Sequence, residues 1–256
     1  SSGFSVSGKK QTINFSCELK GPNNAVSPGL ATYLHALIRC CGPNSFSTPN
    51  EATTYTTSGI DPATIWSCTI HYYLDGVRHA LVGCRGNAVM EFSVNAVPKI
   101  NFSMTGFYVA PGDVSAPLMP AIIPDYEAPP CISGGFSIGA YNPSGVEKIT
   151  IDFGMKVVEK KDINSLTGLS KILITESEPK ITLDCDVDSL ANFNPYNLWS
   201  SGTLFDTDLA FGSPGNKILV TAEDIRLDEP AKGDKNGQAI WNLSGIVTGN
   251  LTLMTM

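Results

Sequence analysis

Hydrophobic and polar residues alternate with period two along most of this chain, the mark of half-buried β-strands. In Thr12-Ile-Asn-Phe-Ser-Cys-Glu-Leu19, the residues Ile13, Phe15, Cys17 and Leu19 fall on one face. Gly21-Pro-Asn-Asn24 breaks that strand. One segment then changes to the helical period. Ser27-Pro28 has the form of an N-cap followed by proline at the first helical position. Leu30, Tyr33, Leu34, Leu37, Ile38 and Cys41 recur at spacings of three and four before Gly42-Pro43. These signals predict a helix over 29–41.

Period two returns from Glu51. Trp66, Cys68, Ile70 and Tyr72 alternate with Ser67, Thr69, His71 and Tyr73, and Asp75-Gly76 is a strong hairpin signal. A return strand follows over 77–82, with Gly83-Cys-Arg-Gly86 read as the next turn and strands over 88–94 and 99–104. Prolines at 111, 117, 120, 124, 129 and 130 then make 106–135 an extended crossing segment. Beyond it the pattern predicts strands at 146–153, 155–158, 172–175, 180–187, 204–211, 217–221, 225–227 and 239–247. Lys160 to Ser170 reads as a polar loop, and Gly233-Asp-Lys-Asn-Gly237 as a hairpin loop. Asp188 or Ser189 caps a second short helix through Leu190, Phe193, Leu198 and Trp199, with Pro195 in its middle.

The order of elements repeats. Thr12 to Leu19 followed by a helix matches Ile181-Thr-Leu-Asp-Cys-Asp-Val187 followed by a helix, with Cys17 and Cys185 in equivalent places. Each copy then runs through strands and a hairpin to close on Ile100-Asn-Phe-Ser-Met-Thr-Gly106 or Trp241-Asn-Leu-Ser-Gly245. This predicts a duplicated β-domain.

The 256 residues are enough for one large all-β domain or two small ones, and 42% hydrophobic content supplies a core. Only 16% of residues are charged, so Ser, Thr, Asn and Gly must cover the surface. That suits a chain that hides surface against partners. Net charge is −7, and residues 131–256 carry ten Lys/Arg against sixteen Asp/Glu. Without a Lys/Arg cluster, tight nucleic-acid binding is not expected. No run of 18 apolar residues suggests a membrane span, and membrane binding by the free subunit is not expected.

Candidate chemistry is sparse. Seven cysteines at 17, 40, 41, 68, 84, 131 and 185 lack CxxC spacing and read as buried free thiols. His35 reads as a solvated or edge residue of the first helix. His71 and His79 flank the Asp75-Gly76 turn, where a facing pair could hold a metal, but no third ligand stands out. Asp184, Asp186 and Asp188 alternate along one strand and Asp206 and Asp208 follow, as a cation site or as the wet face of a sheet. No nucleophile elbow, P-loop or dinucleotide motif is found, so no enzyme activity and no cofactor or metal is expected.

Tyr73-Leu-Asp-Gly-Val-Arg-His-Ala-Leu-Val-Gly-Cys-Arg-Gly-Asn-Ala-Val-Met-Glu-Phe-Ser-Val94, with Val97-Pro-Lys-Ile-Asn-Phe-Ser-Met-Thr-Gly-Phe-Tyr-Val-Ala-Pro111 after it, resembles the tail tube proteins of long-tailed bacteriophages. Gly215-Asn-Lys-Ile-Leu-Val-Thr-Ala222 and Gly233 to Gly237 are similar to the second half of that family. The resemblance implies a mainly β protein built of duplicated sandwich or barrel domains, each with one flanking short helix. The expected division is 1–105 and 136–256 for the domains, with 106–135 crossing between them. It implies trimeric rings with pseudo-sixfold symmetry that stack into a tube in the virion tail, assembled in the host cytoplasm. Hexameric rings would follow if each half were part of one domain. Other tail proteins would bind the ends, and genomic DNA would pass through the lumen without specific binding. It also makes the 160–170 loop, through Ile163, Leu166 and Leu169, a candidate contact between rings. The competing expectation is a phage or bacterial surface-binding β module.

Overall fold

A computed structural model describes residues 9–21, 34–48, 52–113, 127–165 and 168–256. The chain is mainly β and sandwich-like. In its first half β1 (Lys10–Glu18) leads to α1 (His35–Cys40), then β2 (Asn44–Thr48), β3 (Ala52–Thr56), β4 (Cys68–Leu74), β5 (Val77–Ser93) and β6 (Lys99–Asp113). Next come β7 (Gly135–Ile138), β8 (Lys148–Asp152), β9 (Met155–Lys161) and β10 (Leu169–Ser177). The rest is β11 (Lys180–Asp186), α2 (Pro195–Ser201), β12 (Phe205–Ser213), β13 (Asn216–Leu227), β14 (Ala231–Lys235), β15 (Gln238–Val247) and β16 (Leu251–Thr255).

Among the described residues one 14-stranded antiparallel sheet carries the fold, and β9 and β10 form a separate two-stranded hairpin. Its main path runs β1-β6-β5-β8-β11-β15-β13-β16-β3-β2. The sheet contains two stretches. In the first, β1 pairs β6, β6 pairs β5 and β5 pairs β4. In the second, β11 pairs β15, and β15 is flanked by the end of β13 and then by β14. The start of β13 pairs β12 on one side and β16 on the other. β13 and β14 thus both flank β15, with Leu227 and Ala231 bounding the gap between them. Cys17 lies opposite Ile100, and Cys185 opposite Trp241.

The two stretches are welded together. β8 pairs β5 on one side and β11 on the other, and the β2–β3 hairpin of the first half adds to β16 of the second. One buried cluster spans both, with Phe102, Met90 and Ile151 beside Trp241, Val220 and Leu253. Phe92 meets Phe211 edge-on with ring centroids 5.5 Å apart. Removal of this apolar surface from water is the main stabilising term.

Several local expectations change. The described helical turn of the first helix covers only His35–Cys40, and 22–33 lie outside the described residues. Gly83 to Gly86 is not a turn: β5 runs through it with a register shift between Val82 and Arg85. Gly83 takes φ +64, and a Cβ on Gly86 would strike the Ser103 carbonyl and Met104. A glycine bulge therefore bends one long strand where a turn was expected. β6 continues through 106–113 past Pro111; the rest of the crossing segment, 114–126, lies outside the described residues. Pro195 opens α2, because Asn194 caps it by accepting from the Asn197 N–H at 3.0 Å.

Candidate self-assembly surfaces

Sheet edges are the first candidate. Leu19 N–H donates to the Pro98 carbonyl and Tyr108 N–H to the Lys9 carbonyl, both at 3.2 Å or less. In an antiparallel ladder with constant register this parity holds throughout, so odd-numbered residues of β1 bond to β6. Thr12, Asn14 and Ser16 therefore turn their backbone N–H and C=O away from β6. Among the described residues no strand lies beyond them, and none lies beyond β14 on the side away from β15. Unpaired edges template further pairing.

The β9–β10 hairpin is the second. Of the stretch expected as a loop, residues 160–165 and 168–170 are described and belong to its distal end. Asp162 caps the turn: its carboxylate accepts from Asn164 N–H, its N–H donates to the Gly168 carbonyl, and the Ser165 hydroxyl donates to the Leu169 carbonyl. The three candidate contact residues do not share one environment. Ile163 is 97% exposed, Leu169 is 5% exposed within the chain itself, and Leu166 lies outside the described residues. Leu169 thus already has a place in its own chain.

Arg85, which sequence reasoning passed over, ties this arm to the main sheet. Its guanidinium donates to the carbonyls of Ile172 (2.5 Å), Ile65 (2.6 Å) and Trp66 (3.1 Å). The lone signal in the sequence was a charged residue set in a glycine-flanked break of an apolar strand. Hydrogen bonds from a charged donor contribute about 1.5–3 kcal/mol. Arg85→Ala should therefore cost about 2 kcal/mol in denaturant unfolding and speed amide exchange in β9–β10 more than in β11. Uniform exchange across both would show that Arg85 does not anchor the arm.

The histidines and aspartates weighed as cation ligands disperse. His79 lies opposite Tyr72 and stacks on it at 4.6 Å, while His71 lies opposite Ala80 and so points to the other face. His35 is half-buried; its Nδ1 is 3.1 Å from the Tyr55 hydroxyl, and burial and then Arg39 lower its pKa. Burial alone would raise the Asp184 carboxyl. Hydrogen bonds from Lys235 and from the N–H groups of Lys148 and Glu147 outweigh that and hold it below its ordinary value. Asp186 accepts from Ser144, Asp188 from Tyr141 and Asn192, Asp206 from the Asp224 N–H and Asp208 from Thr221. Each carboxylate is thus committed to a neighbour, and no group of three metal-ligating side chains is found among the described residues. All seven cysteines are free thiols. Cys40 and Cys84 hydrogen-bond to Cys68, which raises their thiols and lowers that of Cys68. No described helix is long and apolar enough to cross a membrane.

The last feature is a cavity of about 540 Å³ at the far end of β5 and the start of β8. Phe92, Val94, Cys131, Ile132, Phe136 and Ile149 give it an apolar lining, and Glu147 and Lys148 reach it from β8 and the residue before it. No protein-family model matches the chain. No curated protein matches it either.

Proposed function

We propose that this chain is the structural subunit of a bacteriophage tail tube: copies join edge to edge into rings, and rings stack around a channel for DNA. One observation carries the reading. Inside the chain β8 joins β5 to β11, and we read β11-β15-β13/β14-β12 as a second copy of the plan β1-β6-β5-β4. β14 stands where residues 89–93 of β5 stand, and β1 stands where β11 stands. The junction made within the chain is thus left open at β14 and β1, and head-to-tail copies repeat it around a ring. Two modules per copy make a ring of three pseudo-sixfold. Closing the ring covers the β1 and β14 edges.

Charge supports the same reading. With net charge −7 and no basic cluster, a lumen built from this chain repels phosphate and lets DNA slide. Purified protein should give rings and then tubes by negative-stain microscopy as concentration rises, with rings of three copies by mass photometry. A monomer at every concentration would sink the proposal.

A further inference from the structure

We propose that Cys68 and Cys84 form a redox site, which closes into an intrachain disulfide when a small-molecule disulfide meets the half-buried Cys68. The site goes beyond the tube reading and does not depend on it.

Position is the first argument. Cys68 lies opposite Cys84 in the β4–β5 ladder. Facing residues of an antiparallel pair have Cα atoms about 4.5–5.5 Å apart, and a disulfide spans about 4.4–6.8 Å. The backbone around the pair is also clamped by a side chain. Arg85, next to Cys84, donates to the carbonyls of Ile65 (2.6 Å) and Trp66 (3.1 Å), just before Cys68. The Cys84 sulfur takes room that Gly106 leaves, since a Cβ on Gly106 would lie 2.5 Å from it. A third thiol comes from α1. The Arg39 guanidinium lies over Trp66, 4.9 Å from the ring centroid, which sets the last turn of α1 on the start of β4. Cys40, the next residue, hydrogen-bonds to Cys68.

Chemistry is the second argument. Hydrogen bonds from Cys40 and then Cys84 favour the thiolate of Cys68 and outweigh its burial. The thiolate is the nucleophile in thiol–disulfide exchange. Cys68 is also the member of the three that solvent reaches, because Cys40 and Cys84 are buried. Cys17 and Cys131 are half-buried too, but burial pushes both of their thiols up. Reactivity and access therefore select the same sulfur.

The exchange takes two steps. The Cys68 thiolate attacks one sulfur of the small disulfide, whose S–S bond breaks and releases one small thiolate. Cys84 then gives its proton to solvent and attacks the Cys68 sulfur. The mixed S–S bond breaks and the second small thiolate leaves. The cysteine pair loses two electrons, and the small disulfide is reduced to two thiols. Excess small thiol reverses both steps, so the site is open in reducing surroundings and closed in oxidising ones.

Oxidised glutathione is the probe, added to folded parent protein. Thiol titration in denaturant should then show a loss of two of the seven free thiols. Alkylation, proteolysis and mass spectrometry should find Cys68 joined to Cys84, with Cys17 and Cys131 alkylated. In Cys40→Ser/Cys84→Ser no resolving thiol is left, and Cys68 should hold glutathione as a mixed disulfide. Seven thiols still free after the treatment would overturn the site, as would glutathione on Cys17 or Cys131 with Cys68 untouched. A bridge from Cys68 to Cys40 in the parent would overturn it too, because α1 and not the ladder would then supply the second sulfur. None of these outcomes bears on ring formation.

Discussion

Asn14→Pro should fold as the parent chain does and fail to form rings. Proline lacks the backbone N–H, so its effect depends on where that N–H points. At Asn14 it points away from β6, because the bonds of Leu19 and Tyr108 place the even-numbered residues of β1 outward. The internal ladder therefore keeps all its bonds, and an outward edge position tolerates proline. The Asn14 side chain is exposed, while the core contacts of β1 come from Ile13, Phe15 and Cys17. The expected change in unfolding free energy is small, about 1 kcal/mol or less. The expected change in assembly is a loss, since one donor disappears from the strand that closes the ring and the ring adjoins it at every copy. Phe15→Pro is the counterpart. There the N–H points to β6, so the fold itself should suffer. Rings formed by Asn14→Pro at parent concentrations would remove β1 from the ring junction.

Strand type, the Asp75-Gly76 hairpin and the strands that carry Cys17 and Cys185 were legible because each rests on local period-two patterning. What escaped depends on neighbours far along the chain. Gly83 to Gly86 looks like a turn locally, but β6 runs alongside and keeps β5 going through a bulge. Pro111 looks like a strand stop. Yet β6 runs on past it, held by β5, whose Arg78 lies opposite Gly112 and Val77 opposite Asp113. The β2–β3 hairpin was missed because it joins the sheet only through β3, where Thr53 lies opposite Thr255 and Thr56 opposite Thr252, far along the chain. The surfaces fared in the same way. Ile163 stood out as an apolar residue in a polar loop. The cavity, the Arg85 anchor and the buried place of Leu169 all exist only once distant strands meet.

Gly154→Val should be among the most destabilising single changes in the chain. Gly154 sits at the root of the arm with φ +63, a conformation that costs an L-residue about 1–2 kcal/mol and a β-branched one more. Space is the larger problem. A Cβ there would strike the Glu178 carbonyl and lie 3.0 Å from Pro179 N. Those are backbone atoms, and Glu178 N–H is itself bonded to the Gly154 carbonyl at 3.0 Å. On the other side, Gly154 N–H donates to Asp152, which also accepts from Asn87 at 2.6 Å. Neither wall can retreat without breaking a bond that joins the arm to β5 and β8. The expected loss is about 3 kcal/mol or more, mixing conformational strain with overpacking. For a chain of this size that lowers Tm by about 6–12 °C. Gly168 separates the two causes. It has φ +74 at the arm tip, but a Cβ there would meet nothing within 4 Å. Gly168→Ala should therefore show the conformational cost alone, about 1–2 kcal/mol, and Gly154→Ala should exceed it clearly. Equal losses at the two glycines would mean that the arm root yields, and that the arm is hinged at Gly154 and not fixed there.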